Sequence, residues 1–186
     1  MKNIKDYDLL ALKEEFVQIG EKPFRAEQVF KWLYEEKVKE FDEMTNLSLQ
    51  LREKLKEKYT MCNFKILRKL ESSDGTKKYL FDVLDGNAIE TVLMSYHHGY
   101  SICVSSQIGC KMGCKFCAST GIKFVRSLTS GEIVEQILAV EQDENIRISN
   151  IVFMGIGEPL NNYNNVVNKG VFFYEYNYFW KNAVFR

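Results

Sequence analysis

Three thiols fall within eight residues, in the run Cys110-Lys-Met-Gly-Cys114-Lys-Phe-Cys117, with the spacing C-x3-C-x2-C. The chain has five cysteines, an odd number, and thiols this crowded do not suit a disulfide framework. They suit a metal or cluster nest in a reducing compartment. A 4Fe–4S cube held by three cysteines leaves one iron without a protein ligand, and an open iron can bind a substrate as well as carry electrons. Zinc is the competing reading: three cysteines plus His97, His98 or Cys103 would complete a tetrahedral site. Zinc nests usually pair one C-x2-C with another, and no second pair exists here, so the spacing favours the cluster. Cys62, at a helix-to-strand junction, reads as a small buried hydrophobe.

The elements that must hold this nest follow from hydrophobic period. Leu9, Leu12, Phe16, Val17 and Ile19 recur at helical spacing before Gly20, and Pro23 opens a second helix lined by Phe24, Val29, Phe30, Leu33 and Tyr34. A third helix runs through Leu47, Leu51, Leu55 and Tyr59, with charges of both signs on a solvated face. Near Asn63 the period changes. Segments 64–70, 78–84, 88–94 and 101–106 are short and apolar-rich, separated by turn residues, and read as hairpins feeding a first core strand. Thr129 or Ser130 can cap a further helix with Glu132 in its first turn, and Ile133, Val134, Ile137, Leu138 and Val140 line one side. A strand at 149–154 follows. Strand, cysteine loop, helix and strand make a βαβ unit, so this part is α/β with parallel strands whose C-terminal loops carry function.

Composition narrows the class. The 186 residues are 46% hydrophobic and 27% charged, with 25 Lys+Arg against 25 Asp+Glu, which excludes a disordered chain and a globally basic one. Any nucleic-acid affinity is therefore local. Residues 91–131 contain no Asp or Glu but include Lys111, Lys115, Lys123 and Arg126, a positive field that would favour an anionic cluster, a carboxylate or an RNA backbone. No apolar run approaches the ~18 residues of a membrane span and no signal-type segment opens the chain, so a cytoplasmic protein without membrane contact is expected. In 172–180 seven of nine residues are aromatic. Neither strand nor helix period accounts for that, and a frameshifted or truncated reading frame is the expectation for 168–186.

The spacing C-x3-C-x2-C is the signature of radical S-adenosylmethionine (SAM) enzymes, and three longer stretches extend the likeness. Cys103-Val-Ser-Ser-Gln-Ile-Gly-Cys110 through Cys117-Ala-Ser-Thr-Gly121, Leu128-Thr-Ser-Gly-Glu-Ile-Val-Glu-Gln-Ile-Leu138 and Val152-Phe-Met-Gly-Ile-Gly-Glu-Pro-Leu160 together resemble the RlmN/Cfr family, adenine C2 methyltransferases of RNA. Lys22-Pro-Phe-Arg-Ala-Glu-Gln-Val-Phe-Lys-Trp-Leu33 looks like the family's N-terminal accessory domain. The resemblance implies an α/β fold with a helical accessory domain at 1–62 and, at 63–167, a β-hairpin lead-in and the first part of a radical SAM partial (β/α) barrel.

It also implies roles. Cys110, Cys114 and Cys117 would hold the 4Fe–4S cluster. Gly157 and Glu158 would contact SAM, a glycine letting backbone approach and a carboxylate accepting from the methionine ammonium. Glu90 would be the proton acceptor, and Cys103 would work with a C-terminal, methyl-carrying cysteine to release the product. Substrates would be 23S rRNA and tRNA, with an electron donor such as flavodoxin or ferredoxin. Lys22, Arg25 and Lys31 near Phe24 and Trp32 would offer an RNA platform. No cysteine follows Cys117, so the chain is expected to be an inactive fragment of such an enzyme. A non-catalytic Fe–S or zinc-binding RNA module is the alternative, and Cys103-Val-Ser-Ser-Gln speaks against another kind of radical SAM enzyme.

Overall fold

The structure is a computed structural model that describes residues 1–97 and 99–167, together with the backbone of 182–184. His98 and most of the 168–186 segment, both singled out from the sequence, lie outside the described residues. The chain divides into two compact units, Met1–Asn63 and Phe64–Arg186. No helix among the described residues is long and apolar enough to cross a membrane.

The first unit is helical. It contains β1 (Lys2–Asn3), α1 (Leu9–Gln18), α2 (Pro23–Tyr34), α3 (Leu49–Lys58) and β2 (Tyr59–Thr60). Asp8 caps α1 by accepting from the Ala11 amide at 2.7 Å, Ser48 caps α3 through the Leu51 amide, and Pro23 occupies the first turn of α2, where its missing N–H costs nothing. Leu12, Phe16, Ala26, Val29 and Leu55 are fully buried between the helices. The charged face of α3 is solvated as its pattern predicts: Lys56 pairs with Asp42 and Glu53, and Lys54 with Glu21. The parallel pairing of β1 with β2 was not legible, because two-residue strands carry no period.

The second unit runs β3 (Lys65–Glu71), β4 (Lys77–Asp82), β5 (Ala88–Tyr96), β6 (Gly99–Cys103), β7 (Gln107–Ile108), β8 (Arg126–Ser127), α4 (Ser130–Glu144), β9 (Ile148–Val152) and β10 (Asn182–Val184). Six of these strands form one sheet in the order β10-β9-β6-β5-β4-β3. Strands β3 to β6 are antiparallel, and β6, β9 and β10 are parallel. The hairpins expected as a lead-in therefore widen the same sheet that carries the βαβ unit.

Helix α4 covers one face of this sheet, over Tyr79, Phe81, Ile89, Thr91, Leu93, Ile102 and Ile151. Its apolar stripe is as predicted, but burial extends nearly all round the helix and takes in Glu132, Glu135, Gln136 and Glu141. Each carries a backbone partner. Glu135 Oε1 accepts from the Phe64 amide at 3.2 Å and Glu141 Oε1 from the Ile148 amide at 2.8 Å. Thr129 is the cap, with Glu132 reaching back to its amide in a capping box.

At the C-terminal end of α4, Lys69 pairs with Asp143 and Glu144, Lys77 pairs with Glu144, and the Tyr79 hydroxyl reaches both carboxylates. Burial alone would raise the Glu144 carboxyl, yet the two ammoniums and the phenol outweigh it and hold the group at about 2. A carboxylate depressed in the folded state stabilises above its ordinary value of 4.5 and loses that contribution as pH falls through the folded one. Glu144→Gln should cost roughly 1–3 kcal/mol at neutral pH. Denaturant unfolding at stepped acid pH should then show the gap between the two proteins closing from pH 4.5 down to about 2. A gap independent of pH would remove the ion pairs from the explanation.

Candidate functional site

Strands β6 and β9 lie side by side and parallel, with Ile102 opposite Ile151 and Cys103 opposite Val152. The chain leaves both at the same edge, the C-terminal one, where open parallel sheets bind ligands. The two exits are stitched together by backbone. The Val104 amide donates to Val152 O (3.0 Å), Gly155 N to Val104 O (3.1 Å), and Ser106 N to Ile156 O (2.9 Å). Side chains add to this: Ser105 Oγ accepts from Ile156 N at 3.1 Å and Gln107 Oε1 from Glu158 N at 3.0 Å. Such contact is possible only without side chains. A Cβ on Gly155 would lie 2.6 Å from Val104 O, and one on Gly157, at φ +102°, would lie 2.5 Å from Gln107 Cβ.

Two buried amides lock the stitch from below. Gln136 of α4 accepts from the Ser105 amide at 2.8 Å and donates to Ser105 O at 3.0 Å, while also accepting from Thr91. Asn162 donates to Ser106 O and Leu128 O. Neither residue was picked out from the sequence as a positioning group, since a single Gln or Asn has no spacing signal. Glu158 caps the short 3-10 turn Pro159–Asn162 by accepting from the Leu160 amide with Oε1.

The cysteine loop is an excursion closed at its base. Strands β7 and β8 pair Gln107 with Ser127 and Ile108 with Arg126, and the Cys110 amide donates to Ile122 O. Between them the backbone turns locally, with Cys117 N donating to Cys114 O and Thr120 N to Cys117 O. All five cysteines are free; Cys110 and Cys114 are half-buried and Cys117 is exposed. Among the described residues no three His, Cys, Asp or Glu side chains stand close enough together to hold a metal ion. The donor set nonetheless suits a thiolate-held cluster. No carboxylate lies in the loop to compete, and the backbone hydrogen bonds of its mid-section are local turns rather than ties to the sheet. Asn161 Nδ2 lies 3.6 Å from Met112 Sδ, so the segment after Pro159 borders this loop.

Glu90 and Cys103 stand on the sheet face opposite α4. Cys103 is in register with Val92, two residues along the strand from Glu90, and the Ser105 hydroxyl donates to Glu90 O at 2.6 Å. Glu90 Oε1 is ion-paired with Lys78 Nζ at 2.6 Å. Burial pushes the Cys103 thiol up, and a hydrogen bond from the Met154 backbone recovers part of that.

The positive field expected around the loop is smaller than the sequence implies. Arg126 donates to both oxygens of Glu132 and twice to Asp85 Oδ2, and Lys111 lies 4.2 Å over the Phe124 ring. Lys115 and Lys123 are exposed. In the helical unit Arg25 stacks on Phe24 at 4.9 Å, Lys31 pairs with Glu35, and Trp32 donates to Asn46.

A cysteine loop after one parallel strand and a Gly-Glu loop after its neighbour define a class of α/β protein. The crystal structure of a radical SAM methyltransferase from Sphaerobacter thermophilus matches with a TM-score of 0.86 and 36% identity, covering 95% of this chain and 53% of that one. The fold is thus the first part of a radical SAM barrel with its helical lead. Residues 2–61 match the ribosomal RNA large subunit methyltransferase N-terminal domain. The "Probable dual-specificity RNA methyltransferase RlmN" of Clostridium novyi is 52% identical over 168 residues, 90% of this chain and 49% of the relative. That of Alkaliphilus oremlandii is 53% identical over 167 residues, 87% of this chain and 48% of the relative. The chain belongs to the RlmN family, and it spans about half the length of the curated relatives it matches.

The loop base offers a direct check. Gly109 sits at φ +71°, and a Cβ there would lie 2.1 Å from Lys123 O. Gly109→Ala should therefore open the β7–β8 base and lower iron uptake several-fold on anaerobic reconstitution, while circular dichroism shows the sheet and helices intact. Full iron uptake by that variant would mean that the base does not shape the nest.

Proposed function

We propose that this chain is the N-terminal portion of a radical SAM RNA methyltransferase that acts at C2 of an adenine in 23S rRNA and in tRNA. The observation that supports it best is the pairing of β6 with β9, which sets the C-x3-C-x2-C loop and the Gly157-Glu158 loop at one edge of one sheet. In this reading Cys110, Cys114 and Cys117 hold a 4Fe–4S cluster, and the cluster with SAM supplies the single-electron chemistry that no side chain here can perform. Gly157 brings backbone to the methionine end of SAM, and the Glu158 oxygen not used in capping accepts from its ammonium. Glu90 takes the proton from the adenine, with Lys78 holding one of its oxygens in place. Cys103, held mostly as a thiol by burial, is the resolving thiol, and its partner cysteine is not among the residues of this sequence. Substrate RNA presents the adenine from a loop, where unstacking is easiest. A reducing cytoplasm, with a flavodoxin- or ferredoxin-type donor, suits five free thiols.

Metal content tests the reading. Anaerobic reconstitution of the purified chain with iron and sulfide should give a brown protein with about four irons, and Cys114→Ala should lose most of them. A colourless protein with one tightly held zinc would instead favour the structural RNA-module reading.

A further inference from the structure

The sheet face turned away from α4 carries a row of cations. Residues paired across antiparallel strands share a face. The register sets Lys65 with Asp82, Arg68 with Leu80, and Leu80 in turn with Glu90. Lys65, Arg68, Lys78, Glu90 and Cys103 therefore share the face opposite α4, and Arg68 is in line with Glu90 across two strand spacings, about 10 Å.

A bulge makes this so. Ile66 pairs with Phe81 and Arg68 with Leu80, which leaves Leu67 as an extra residue in β3. Without it Arg68 would pair with Tyr79 and point to the α4 side, since a one-residue slip reverses every side chain beyond it. The cations that do point to that side, Lys69 and Lys77, are neutralised by Asp143 and Glu144. Lys65 and Arg68 are exposed and make no ion pair among the described residues, although Asp82 stands across the strands from Lys65 on the same face; Lys78 pairs with Glu90. Charge on an edge strand also deters pairing with other sheets. That accounts for a lysine on either face, but not for a bulge that turns Arg68 toward Glu90.

We infer that Lys65 and Arg68 form a phosphate-binding strip that holds the RNA backbone next to Glu90 and Cys103. This rests on the reading that RNA is the substrate, and it gives a sheet edge, rather than the cysteine loop, the task of positioning the strand. Phosphate contacts fix register and orientation without reading sequence. Leu70, on the same face and exposed, gives the strip an apolar flank.

The test is binding of a fluorescein-labelled RNA stem-loop with an adenine in its loop, read by anisotropy with the full 186-residue chain over a range of salt. The double variant Lys65→Gln/Arg68→Gln should bind about tenfold more weakly and lower the salt slope by about 1 per residue. Arg68→Lys should keep the slope, and Lys69→Gln, on the other face, should bind like the unaltered chain. If the unaltered chain binds and the double variant matches it in affinity and slope, the strip is wrong and the RNA reading stands. If the unaltered chain shows no salt-dependent binding, both fall, while iron uptake still reports independently on the cluster.

Discussion

Everything at the site depends on two backbone segments running closer than side chains permit. Strands β6 and β9 are ordinary parallel neighbours, but past their ends the chain continues in contact through Val104, Ser105 and Ser106 on one side and Gly155 and Ile156 on the other. Amide and carbonyl groups at this depth must find partners or cost about 1–3 kcal/mol each. Each segment supplies them for the other, and Gln136 and Asn162 supply what is left. The loops that carry Cys110 and Glu158 consequently start from a fixed base, although the cysteine loop is largely exposed and residues 155–159 are half-buried. Binding constellations work best on such supports.

The same economy explains the unusual burial of α4. A helix packed on a sheet needs only a stripe of apolar residues, yet this one buries four acidic or amide side chains as well. Three of them close backbone donors at the ends of neighbouring segments: Phe64 where β3 begins, Ser105 where β6 has ended, and Ile148 where β9 begins. The fourth, Glu132, closes the capping box and grips Arg126. The helix thus fixes strand ends through hydrogen bonds as well as covering their faces, and strand ends are where the site lies.

Much of this was legible. The three helices of the first unit, the four hairpin strands, the cap at Thr129 and the βαβ order all follow from period and capping residues, because those signals are local. The family was legible from the cysteine spacing together with the longer stretches that flank it. What the sequence hid was pairing. β7 and β8 are two residues long, too short for a period, yet they close the cysteine loop. The Leu67 bulge is a property of two strands together, and nothing in Lys-Ile-Leu-Arg-Lys announces it. The folded loop, for its part, does not bring the three thiols together as their spacing suggests, and its turns hold each cysteine separately.

Charge shows the limit of a one-dimensional reading most sharply. The acid-free window 91–131 suggests four uncompensated cations around the nest. Three-dimensional pairing removes Arg126, whose guanidinium bridges Asp85 from the β4–β5 turn and Glu132 from α4, both just outside the window. That bridge ties the hairpin, the base of the cysteine loop and the helix N-terminus at a single planar group, a geometry that lysine's point charge could not reproduce. Meanwhile the register of β3 sets Arg68, unremarked among the mixed charges of 58–78, opposite Leu80, and neither it nor Lys65, which faces Asp82, makes an ion pair among the described residues. A sequence window counts charges, but the sheet decides which of them remain uncompensated, and here it places them on the side of Glu90 and Cys103.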